Sequence, residues 1–135
     1  MARGWTKKDV RIMQQAISTF WLYNRPLGDS VKEHDAALTE VRDYLRDNRA
    51  EVVLHGIAEL GNMAHERYVK NAETAEHFKT HPEVYGKRTP EMIERFKRLA
   101  EENRRDFQKA KDLMDRIQTE GLPPEVTSFD PLQRA

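Results

Sequence analysis

Carboxylates and imidazoles crowd one face of the stretch between residues 49 and 78. Glu51, His55, Glu59, Asn62, Glu66, Glu73 and His77 share it. A carboxylate one helical turn from an imidazole can ligate a divalent metal. A structural site, however, needs three or four ligands that converge, and these groups are strung along a line. Neither a His-Glu-x-x-His nor a Glu-x-x-His motif occurs, so the expectation is a solvated acidic face with no metal and no cofactor. His34 falls on the apolar face of its own segment and reads as a packed, hydrogen-bonded histidine. At the N-terminal end Arg3, Lys7, Lys8 and Arg11 surround Trp5, with Asp9 the one acid close by. Cations around an aromatic ring beside a helix start suit a phosphate backbone. Arg49 and His55 pair a fixed cation with a proton carrier. No Ser/His/Asp order, phosphate-binding glycine loop or dinucleotide fingerprint is present. The absence of cysteine removes thiolate catalysis, disulfides and Cys-ligated zinc.

The spacing Arg49-x5-His55 resembles the Arg-x4–6-His signature of HEPN ribonucleases, which are helical domains of about this size. The resemblance implies RNA cleavage at a dimer cleft, with Arg49 and His55 as the site residues. It rests on those two positions, and Ala50 stands where the family usually carries a polar residue.

The elements that position these groups are helical. The longest runs from Thr89-Pro90-Glu91 through Ile117 and stops at Gly121, Pro123 and Pro124. A threonine cap, a proline in the first turn and a following acid mark its start, and glycine then prolines mark its end. A first helix begins at Thr6, with Asp9 completing a capping-box variant. It carries an apolar stripe of Val10, Met13, Ile17, Phe20 and Trp21, widened by Ile12, Ala16 and Tyr23. Pro26 and Gly28 end it. Ser30 and Glu33 cap a second helix with Val31, Leu38, Val41 and Leu45 on one face. Asn48 and Glu51 offer a cap for a third, running from about Arg49 to about Phe78. Val53, Ile57, Leu60, Ala64, Tyr68 and Ala75 line one side of it, joined by Leu54, Gly61 and Ala72. Gly56 and Gly61 either admit a close neighbour or mark a kink. Lys79 to Arg88 reads as a loop. The last helix presents Met92, Phe96, Leu99, Ala100, Phe107, Leu113, Met114 and Ile117 to the core. Asn103 in that stripe reads either as a register-fixing buried amide or as a break between two apolar clusters. Its outer face carries Glu94–Arg98, Glu101–Arg105 and Asp112–Arg116 at the favoured i,i+4 spacing, which makes it a solvated, paired face.

The expected fold is all-α. Four helices form a single domain over 1–121, the last two a long antiparallel hairpin, followed by an extended proline-framed tail over 122–135. Apolar residues make up 38% of the chain and charged residues 34%, so much of each helix must face water. Lys plus Arg and Asp plus Glu both number 23, so no net field steers the chain to nucleic acid or anionic lipid. No stretch is long and apolar enough for a membrane span, and no signal-peptide pattern opens the chain. A cytoplasmic protein is expected. In the tail, Val126, Phe129 and Leu132 recur every three residues, a pattern that predicts docking on the bundle or on a partner. The chain therefore reads as a protein-binding or assembly protein, oligomeric or part of a complex. The alternatives are a nucleic-acid-associated protein using Arg3, Lys7, Lys8 and Arg11, and the ribonuclease reading of Arg49 and His55.

Overall fold

The computed structural model describes residues 4–24 and 31–131, the side chains of 31–35 and 85 excepted. The chain is helical, with no strand among the described residues. Four long helices dominate: α1 (Lys7–Asn24), α2 (Val31–Asp47), α3 (Arg49–Thr80) and α5 (Thr89–Glu120). Two single turns join them, α4 (Pro82–Tyr85) and α6 (Pro124–Thr127), and a 3-10 turn over Gly86–Arg88 leads into α5. The chain divides into two compact units, Met1–Ile57 with Leu113–Ala135, and Ala58–Asp112.

The first unit gathers parts of five helices. Thr6 Oγ1 accepts the Asp9 N–H at 3.0 Å, which caps α1 as its sequence predicts. Met13, Ala16 and Ile17 of α1 are buried, with Leu45 of α2, Val52, Val53 and Ile57 of α3, Leu113 and Ile117 of α5, and Val126 of α6. Two tyrosines beside this core are open, Tyr23 against its expected place in the α1 stripe. Tyr23 is 82% exposed, and Tyr44 is half-exposed with its ring stacked on Phe20 at 5.6 Å. Both lie at the margin of their stripes, where a neighbour covers one side only. The Ser30–Glu33 cap, Pro26, Gly28 and the His34 side chain fall outside what is described. Asn48 turns its side chain back to α2. Its Nδ2 donates back to the Tyr44 carbonyl at 3.0 Å, closing α2.

Gly56 explains how α1 and α3 meet. A Cβ placed on it would stand 2.6 Å from the Ala16 Cβ and 3.2 Å from the Ala16 Cα. The glycine is thus a close-packing site within α3, which supports the first of its two readings.

The second unit is an antiparallel hairpin of α3 and α5. Phe78 stacks on Phe96 at 5.5 Å, Asn71 meets Asn103, and His65 meets Phe107 at 5.3 Å, so numbering rises on one helix as it falls on the other. Asn71 Nδ2 donates to Asn103 Oδ1 at 2.7 Å, part-buried. That bond supports the register reading of Asn103, because a one-turn slip would leave both amides without each other. A Cβ on Gly61 would stand 3.2 Å from that of Ala110. Two helices cover a narrow arc, so Ala64, Ala75, Phe78 and Ala100 are buried while Leu60 and Ala72 on the flanks are exposed, against expectation. Leu99 and Phe107 are half-buried. Thr89 also departs from its predicted role. Its hydroxyl donates backward to the Gly86 carbonyl at 2.8 Å, because the 3-10 turn runs directly into α5 and leaves no separate cap position.

Candidate functional site

The tail is the most constrained of the predicted sites. Pro123 is extended (φ −70°, ψ 157°), as a residue before proline should be. Pro124 then opens the single turn α6, since proline fits the first turn of a helix. The segment is therefore not extended throughout. The turn directs Val126 inward, where it is 0% exposed, while Phe129 is half-buried. Leu132 lies outside the described residues.

Arg49 holds this segment. Its Nη1 donates to the Val126 carbonyl at 3.1 Å and the Phe129 carbonyl at 2.7 Å. Gln14 Nε2 of α1 donates to the Glu125 carbonyl at 3.1 Å. Burial lowers the Arg49 pKa from its ordinary value, and the nearby Asp130 carboxylate opposes that shift. The guanidinium stays charged at neutral pH on either account. Trp21, Arg42, Arg49, Phe129 and Asp130 border a small cleft of about 180 Å³ in the first unit. The cleft is walled by the tail that Arg49 retains.

This geometry makes a prediction. Arg49→Met keeps the aliphatic stem but removes the donors, leaving two carbonyls without their partner. The expected loss is about 1–3 kcal/mol, with faster amide exchange across 124–131 and little change in α5. Unchanged exchange in 124–131 would show that the guanidinium does not retain the segment.

Arg49 and His55 are not brought together. Six residues apart on one continuous helix, they point about 120° away from each other. Arg49 faces the tail, and His55 is exposed on the outer side. At the N-terminal end Lys7, Lys8 and Arg11 are exposed, and Arg3 is outside the described residues. Trp5 is covered from one side by the Arg116 guanidinium, 3.8 Å above its ring centre. Arg116 also pairs with Glu120 at 2.5 Å. The aromatic member of the basic cluster is thus engaged with α5.

The outer face of α5 is paired, at Glu101–Arg105 as the spacing suggested and otherwise with other partners. Glu101 binds Arg104 at 2.8 Å and lies 3.8 Å from Arg105. Its hydrogen bond from Arg104 holds the carboxyl below its ordinary pKa. Asp112 accepts from Gln108 at 3.0 Å. On α3 the row Glu51, His55, Glu59, Asn62, Glu66, Glu73 and His77 is exposed. Among the described residues no three His, Asp or Glu side chains converge on one point, and no helix is long and apolar enough to cross a membrane.

Sequence reasoning did not single out which apolar residues of the hairpin stand open. Leu60 and Met63 are each 47% exposed, and Val69 is 38% exposed. The apolar period marks the stripe on α3 but carries no signal of how many helices enclose it. No family model, curated protein or solved structure matches the chain.

Proposed function

We propose that this chain is a non-enzymatic protein-binding or assembly protein, a small regulator, inhibitor or subunit of a larger complex, that acts through the open faces of its helices. The observation that carries this reading is the pair Leu60 and Met63. Three residues apart, they are neighbours on the surface of α3, and each is 47% exposed. Close by, Phe107, whose ring meets His65, is half-buried as well. An apolar flank on a two-helix layer gains free energy by being covered, at roughly 25 cal/mol per Å² removed from water. The balance of 23 basic and 23 acidic residues favours a protein partner, or a second copy of the chain, over a polyanion. In this reading the segment around Val126 completes the first unit and leaves recognition to the helix flanks. A reducing compartment such as the cytoplasm accords with a sequence that has no cysteine.

Sedimentation of the full chain tests the reading. The wild type is expected to self-associate or to travel with a protein partner. Replacing Leu60→Lys together with Met63→Lys should weaken that association about tenfold or more. Stability should change by no more than about 1 kcal/mol, since both side chains already meet water. A compact wild-type monomer that retains no protein would overturn it.

A further inference from the structure

His77 and His81 stand four residues apart at the end of α3, and their rings lie on one face. The ring centroids are 4.5 Å apart and the planes 30° from parallel. Both side chains are exposed. His81 follows the last residue of α3, yet its N–H donates to the His77 carbonyl at 3.0 Å, so it keeps the helical register. The apparent loop from Lys79 to Arg88 hides this spacing in the sequence.

Hydrogen bonds orient the ring of His81. The Thr80 hydroxyl lies 3.0 Å from the Glu76 carbonyl, 3.2 Å from the His77 carbonyl and 2.9 Å from His81 Nδ1. His81 Nδ1 also lies 3.2 Å from the His77 carbonyl, a group that can only accept. With Nδ1 turned to these two groups, Nε2 is left clear of them. A histidine that binds metal is commonly oriented in this way, through a hydrogen bond from its other nitrogen to a carbonyl.

We propose that His77 and His81 form a two-imidazole chelate for a divalent transition-metal ion, with His81 Nε2 and a ring nitrogen of His77 as the protein ligands. Imidazole suits copper, nickel and zinc at metal–nitrogen distances of about 2.0–2.1 Å. Neighbouring turns of a helix let two such nitrogens reach one ion after small rotations of the rings. No third carboxylate or imidazole joins them among the described residues, so water fills the remaining positions. The site is an exchangeable one, and Cu²⁺ should bind it more tightly than Zn²⁺. A bound ion would tie the last turn of α3 to the residue that enters the hairpin turn.

Titration calorimetry of the tag-free full chain with Cu²⁺ alone, and then with Zn²⁺ alone, near neutral pH tests this proposal. The expected result is saturable one-to-one binding, tighter for Cu²⁺. His77→Ala and His81→Ala should each weaken it about tenfold or more, while His55→Ala and His65→Ala leave it unchanged. Circular dichroism confirms that the variants keep their helices, as exposed positions should. Absence of saturable binding at millimolar metal, or equal binding by the His77→Ala/His81→Ala double variant, would overturn the proposal.

Discussion

Gly56→Ala should destabilise the protein by about 1–2 kcal/mol, although alanine is the better helix former. In an exposed helix the exchange would gain roughly 1 kcal/mol. Here the added methyl would stand 2.6 Å from the Ala16 Cβ and 3.2 Å from its Cα. The obstacle is a short side chain fixed to backbone, which has no rotamer to yield. α1 and α3 must part, and overpacking of this kind costs typically 1–3 kcal/mol. Parting also loosens Met13, Ile17 and Val53, all 0% exposed, so Gly56→Leu should cost more. Gly61→Ala is the control. Its methyl would approach the Ala110 Cβ at 3.2 Å, and the propensity gain should leave stability within about 0.5 kcal/mol of wild type. Urea unfolding of the three variants gives the comparison. If Gly56→Ala proved as stable as wild type, α1 and α3 would not cross as closely as described.

Ile17→Ala is the second large effect. The side chain is 0% exposed, and its removal should cost about 2–5 kcal/mol, through lost transfer free energy and the cavity left behind. Leu99→Ala, on the hairpin, should cost about half as much or less, because Leu99 is half-buried and water reaches the space it vacates. The same unfolding measurement separates the two. Equal losses would mean that the hairpin encloses its stripe as fully as the first unit does.

The helices were legible because their ends and periods are local. Thr6 caps α1 where the sequence places it. The stop at Gly121 is real, with that glycine at φ 81°, and α5 passes Asn103 without a break. Roles that depend on a neighbour distant in sequence were not legible. Gly56 could be a kink or a contact until Ala16 was seen beside it. The acceptors of Arg49 are 77 and 80 residues away, so its spacing to His55 drew attention that its actual partners redirect. The tail reads as extended because of its prolines, but the rule for proline constrains the residue before it and leaves the next turn free to coil. Leu60 and Ala72 fit the apolar period of α3. Their exposure depends on how many helices surround that period, a quantity no window of sequence contains.

The division of the first unit between two stretches of chain has a kinetic consequence. Its core joins Met13, Ile17 and Val53 to Leu113, Ile117 and Val126, so its closing contacts span a long intervening segment. During synthesis α1 can meet the start of α3 early, but Leu113, Ile117 and Val126 emerge last. The hairpin between them needs only its own turn at Pro82–Arg88 and can form first, since local contacts close at lower entropic cost. A nascent chain stalled before Leu113 would hold the hairpin and a first unit whose core lacks Leu113, Ile117 and Val126. That interval is when the chain is most open to chaperones, to proteases and to aggregation.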